Sequence, residues 1–105
     1  MSASRHIGDI QTIGQSERIT FTLTTTPWGS APTGVVVTAY DVSAGMSAGV
    51  VVTGTILSGA ASVVGDVITL PTIINVTPGT LYRIEVLFVS GGQTFEPYLL
   101  VRGEV

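Results

Sequence analysis

The chain has 105 residues, a net charge of −3, charged side chains at only 10% of positions, and no Cys. An apolar fraction of 45% excludes disorder on composition, and the absence of Cys excludes disulfides and thiolate chemistry. Its four basic residues are all Arg and form no stripe, which argues against nucleic acid and anionic membranes as partners, and no apolar run is long enough to span a bilayer.

Along the chain, period-2 alternation dominates and helical periodicity is nearly absent. Residues 1–17 are polar, with Ile7, Ile10 and Ile13 spaced by three. That spacing fits neither a clean strand nor a full helix. It predicts an extended N-terminal arm that packs on its own domain, residues 18–105, or on a neighbouring subunit. Met1 to Asp9 lacks an apolar h-region and does not read as a secretory signal. Ile19 to Thr25 places Ile19, Phe21 and Leu23 on one face and Thr on the other, the pattern of a half-buried antiparallel strand. Two Pro and a Gly make Thr26 to Pro32 a loop. Val35 to Val42 is apolar on both faces and reads as a central strand. A flexible connection, Ser43 to Gly49, leads to a strand over Val50 to Leu57 with Gly54 as a bulge position.

Two hairpins follow. Gly65-Asp66 predicts a two-residue type II′ turn, with Val63 opposite Ile68 and Ala61 opposite Leu70. Pro71 ends that strand. Gly91-Gly92 joins Leu81–Ser90 to Gln93–Arg102. Tyr82, Ile84, Val86 and Phe88 then face one way, matched by Val101, Leu99, Pro97 and Phe95. About seven strands at even spacing, with an eighth conceivable in the arm, favour a sandwich or small barrel, and the expected fold is all-β, a single antiparallel sandwich of about seven strands.

Thr77-Pro78-Gly79-Thr80-Leu81-Tyr82 is the most specific motif. Pro-Gly makes a tight turn with positive φ at Gly, and a Tyr entering the next strand can return its hydroxyl to the turn backbone, forming a tyrosine corner. Residues Pro78 to Val86 resemble the corresponding corner and strand of fibronectin type III-like domains. A narrower likeness runs through Val36-Thr38-Tyr40-Asp41-Val42, Gly65 to Pro71, Pro78 to Val86 and Thr94-Phe95-Glu96. These resemble the small Ig-like proteins of tailed-phage structural operons, of the fibre–tail adaptor type. The resemblance spans roughly residues 18 to 103 and implies a virion component with no catalytic residues. The residues themselves support that reading only as far as fold.

Candidate chemistry is sparse. His6, the one His, sits in the arm with no orienting partner and no shielded pocket for general-base work. Seven scattered acids form no Ca²⁺ ladder, and zinc lacks Cys and a second His. Glu85 and Glu96 approach each other on the outer face of the last hairpin, where paired carboxylates would suggest glycosidase chemistry. Arg83 and Arg102 flank them, so surface charge pairing worth under about 1 kcal/mol is preferred. No phosphate loop is present, and Ser43, Ser47 and Ser58 lack a base. An enzyme is not expected, nor any cofactor or metal.

Partner contacts are the better prospect. Alternation puts Leu87, Val89, Tyr98 and Leu100 on the outer face of the last hairpin, an apolar patch with a charged rim. The competing reading covers these residues with a second sheet or the arm, or shifts them by a bulge at Pro97. Trp28, in a Pro/Gly loop, either caps an open end of the sandwich, the preferred reading, or anchors a partner. With Ile7 and Ile10 of the arm, these are the candidate interface residues. Low charge removes one barrier to self-association. The expected function is a structural virion protein, a phage tail- or head-associated adaptor or decoration module. It would be made in the host cytoplasm, bind other virion proteins or copies of itself, and form a homo-oligomer in the particle. The alternative is a carbohydrate-binding or adhesion module of a bacterial surface system.

Overall fold

The computed structural model describes residues 7–26, 28–45 and 49–105. In chain order the elements are β1 (Gln11–Gly14), β2 (Thr22–Thr24), β3 (Thr33–Asp41), β4 (Val50–Val51), a helical turn α1 (Thr53–Ile56), β5 (Leu57–Ser58), β6 (Ser62–Val64), β7 (Val67–Thr69), β8 (Thr72–Ile73), β9 (Leu81–Ser90), β10 (Gln93–Phe95) and β11 (Tyr98–Glu104). One sheet runs β1-β11-β9-β3-β4, with β10 also pairing β9; a second runs β2-β7-β6; β5 and β8 form a short third. The all-β expectation holds. A single sandwich of seven strands does not describe the count, because the described residues form eleven strands in three sheets.

The extra strands arise where long alternating runs are interrupted. The run from Ile19 to Thr25 pairs regularly only over β2, while Ile19 makes an isolated bridge to Ile73. Its predicted faces are nonetheless correct: Phe21 and Leu23 turn inward and Thr20, Thr22 and Thr24 are exposed. The run from Val50 to Leu57 is not one strand. After Val51 the chain turns through α1, and Gly54 lies in that turn rather than in a bulge. Two bonds to Ala39 hold the crossing: Val52 N–H donates to its carbonyl at 2.8 Å, and its N–H donates to Thr53 Oγ1 at 3.1 Å. The crossing buries Ile56 and places Leu57 against Ile73 of the short sheet.

Both hairpins take the registers expected from their turns. Val63 pairs with Ile68 and Ser62 with Thr69. Gly65 has φ of +59° and Asp66 is not in the positive-φ region, as a type II′ turn requires. Across Gly91-Gly92, Phe88 pairs with Phe95, Ile84 with Leu99 and Tyr82 with Val101. Pro97 ends β10, since it has no N–H for the ladder, yet the register does not slip. Val86 N–H donates to the Pro97 carbonyl at 2.8 Å, between the two paired stretches. A bulge at Pro97 is therefore ruled out.

The core forms where the inward rows meet. Tyr82, Ile84, Val86 and Phe88 of β9, with Leu99 and Val101 of β11, share one buried cluster with Leu23, Ile68, Leu70 and Ile73 from the smaller sheets. Ile13 of β1 joins it at 2% exposure. β1 lies parallel to β11, with Ile13 opposite Gly103, and Ile7 N–H donates to the Tyr98 carbonyl at 2.8 Å. The described part of the N-terminal segment thus packs on its own chain.

The tyrosine corner is present. Tyr82 is 3% exposed and its hydroxyl accepts the Thr77 N–H at 2.9 Å. Gly79 has φ of +83° and donates its N–H to the Gly103 carbonyl at 2.9 Å, tying the turn to β11. Tyr82→Phe is expected to leave that N–H without its partner and to lower stability by about 1–2 kcal/mol with no change of fold. Urea unfolding checks this as a lower midpoint at constant slope.

Candidate association face

The outer face of the large sheet is built by four strands in register. Leu100, Arg83, Tyr40 and Val51 lie in one row across β11, β9, β3 and β4. Tyr98, Glu85 and Thr38 form the next row, and Leu87 with Val36 the one beyond it. Val89 lies opposite Thr33 past a register shift between Thr33 and Val36. The same alternation that sends Ile84, Val86 and Phe88 into the core therefore sends Arg83, Glu85, Leu87 and Val89 outward.

Four of the expected interface residues share this face, but they are not equally available. Val89 is 37% exposed and Leu87 and Tyr98 are half-buried, whereas Leu100 is buried at 8% beside Arg83. The largest apolar exposure comes from residues that alternation did not single out: Val36 at 53% and Val51 at 62%. Val36 sits in a run apolar on both faces, so periodicity could not tell which face is covered. The usable signal was its register with Leu87 across the β3–β9 pair.

Charge on this face is tied down locally. Arg83 Nε contacts Glu85 Oε2 at 2.8 Å, and the Arg83 guanidinium stacks 5.0 Å from the Tyr40 ring centroid. Both Arg83 and Glu85 are less than a fifth exposed, at 19% and 13%. Glu85 thus takes the Arg83 half of the expected charge pairing.

The other three candidates are Trp28, Ile7 and Ile10. Trp28 is half-buried and meets Phe88 edge to face, with ring centroids 6.5 Å apart and planes at 80°. It closes the end of the core that Phe88 and Phe95 fill, the capping position. An open concavity beside it is lined by Gly29, Ser30, Ser90, Gly91, Gln93 and Phe95. Ile7 packs against the core, while Ile10 is 41% exposed. Ile7 and Trp28 pack against the core rather than on the outer face. His6 and Ser47 lie outside the described residues. Among the described residues no group of three or more His, Asp or Glu side chains is gathered for a metal. Asp66 is used structurally: its Oδ1 accepts the Ala31 N–H at 2.9 Å, fixing the loop where Ala31 has φ of +50°.

Compared with known proteins, the chain matches no family model, no curated protein and no solved structure.

Proposed function

We propose that the chain is a non-enzymatic structural module of a virus particle, of the tailed-phage adaptor or decoration type, acting through the outer face of its large sheet. The observation that carries this reading is exposed Val36 and Val89 on either side of half-buried Leu87, on a face that also carries Arg83, Glu85 and Thr38. Apolar centres with polar rims are the anatomy of protein–protein contacts. The strand order β1-β11-β9-β3-β4 opposite β2-β7-β6, with the Tyr82–Thr77 bond, supports the finer proposal of an Ig-like, fibronectin type III-like sandwich. Its partners on this reading are other virion proteins or further copies of the chain.

Particles purified from the producing host test the proposal. The chain is expected in them at fixed stoichiometry. Val36→Arg, at an exposed position, should lower incorporation about tenfold, the loss of ~1.4 kcal/mol of contact energy, while the unfolding midpoint stays close to that of the parent. Absence from particles overturns the reading. A saturable change of Trp28 fluorescence on titration with sugars would favour an adhesion module instead.

A further inference from the structure

We propose that the seam between the N-terminal segment and β2 is a binding pocket for a small neutral molecule with an apolar body, a single aromatic ring bearing a short alkyl tail. None of its residues belongs to the proposed association face, and the site does not depend on that reading.

Two separate parts of the chain build the pocket. Leu23 of β2, Leu70 and Leu99 of β11 are buried members of the core and form its floor. Half-buried Phe21 lines it from the β2 side, and half-buried Ile7 from the N-terminal segment. That segment is held in place by the Ile7 N–H, which donates to the Tyr98 carbonyl at 2.8 Å. The space these residues share is about 250 Å³. A cavity of roughly 150 Å³ lined by Leu, Ile and Phe accepts benzene, so the volume here admits a ring with a short tail.

The lining selects the occupant. The floor backbone has no polar group to spare: Leu70 donates its N–H to the Phe21 carbonyl at 2.9 Å, Leu23 is paired with Ile68, and Leu99 with Ile84. A water held inside a protein uses about three polar partners. The aliphatic floor supplies none, so an apolar group that displaces water from it gains affinity. A charge in the same place would be desolvated without a counter-charge, because no lining residue is ionisable. The two polar side chains of the lining, Gln11 and Thr22, are both exposed. They put the polar side of the site toward solvent, where the occupant can carry one hydroxyl.

The position of the pocket has a consequence for the N-terminal segment. Ile7 and Gln11 come from that segment and the floor from the core, so an occupant touches both at once. A ligand that binds only when the segment is docked stabilises the docked state by mass action.

Titration of the full chain with hydrocinnamyl alcohol, followed by NMR and thermal unfolding, tests this. Saturable shifts are expected at Ile7, Leu23 and Leu99, with a higher unfolding midpoint. Hydrogen exchange of the Ile7 amide should slow as the ligand fills. Ile7→Trp, which adds bulk from the segment side, and Leu99→Phe, which adds it from the floor, should each weaken binding at least about tenfold by occupying the space. Circular dichroism checks that each variant is folded, and Ile7→Trp, at a half-buried position, keeps the test open if Leu99→Phe is not. Absence of saturable shifts up to the solubility limit of the alcohol, shifts confined to Val36 and Leu87, or affinity unchanged in the folded variants overturns the proposal.

Discussion

Gly103→Ala is expected to destabilise the protein by about 3 kcal/mol, the upper part of the range for overpacking. A methyl group there would lie 2.8 Å from the Thr77 carbonyl carbon and nearer still to its oxygen. The obstacle is backbone, so no side chain can swing aside. Relief requires β11 to move away from the corner turn. That movement would strain three bonds together: Gly79 N–H to Gly103 O, Gly103 N–H to Thr80 O, and Thr77 N–H to the Tyr82 hydroxyl. A domain of this size is held by roughly 5–15 kcal/mol, so the variant should show a clearly lower midpoint in thermal or urea unfolding. Gly54→Ala is the matched control. Its added methyl meets nothing within 4 Å, and alanine is the better residue in a helical turn by about 0.5–1 kcal/mol. The same substitution should therefore have opposite signs at the two positions. A neutral Gly103→Ala would mean that the corner and β11 are not packed as closely as described.

This contrast also marks what could be read from the residues and what could not. The Gly65-Asp66 and Gly91-Gly92 turns specify their own registers, because two-residue turns leave one pairing consistent with the apolar alternation on both flanks. Tyr82 could be placed for the same reason: Pro78-Gly79 sets the turn, and a Tyr entering the next strand returns its hydroxyl to the turn backbone. Gly103 carried no such signal. Its importance comes from the approach of Thr77, a contact between segments that no local pattern encodes. The parallel pairing of β1 with β11 is equally non-local, and an Ile spacing of three gave no hint of it. The Val50–Leu57 run looked continuous because Thr53 and Thr55 suit a strand. What breaks it is the need to cross between sheets, met by bonds to Ala39.

The proposed association face was legible in part. Alternation along β9 and β11 correctly separates outward from inward residues, since Phe88 and Leu99 are buried while Val89 is exposed. It could not rank the outward ones. Leu100 and Val36 are both outward, yet one is 8% exposed and the other 53%. The difference follows their places in the sheet: Leu100 stands on β11 between β1 and β9, beside Arg83, whereas Val36 lies on β3 opposite Leu87. A binary pattern along one strand does not register which strands flank it.

Phe88→Ala is the second large effect, expected at about 3–5 kcal/mol. Phe88 is fully buried on β9, 5.6 Å from the Phe95 ring centroid and 6.5 Å from that of Trp28. Truncation removes the ring against which both aromatics pack and leaves a cavity that their rigid rings cannot close. The denaturation midpoint should fall at constant slope, and Trp28 emission should shift as its environment opens, with Phe88→Leu between the two. The variant also separates stability from contact. Phe88 lies between Leu87 and Val89, so it anchors from within the strand that presents the proposed association face. Under conditions where Phe88→Ala remains folded, β9 keeps its pairing with β3 and β11, and incorporation into particles should fall less than for Val36→Arg. The surface variant should show the reverse: nearly unchanged stability and a large loss of incorporation. If the core variant lost incorporation as fully as Val36→Arg while still folded, the outer face would not be acting as a preformed surface, and the contact would have to depend on rearrangement of the end of the core that Trp28 closes.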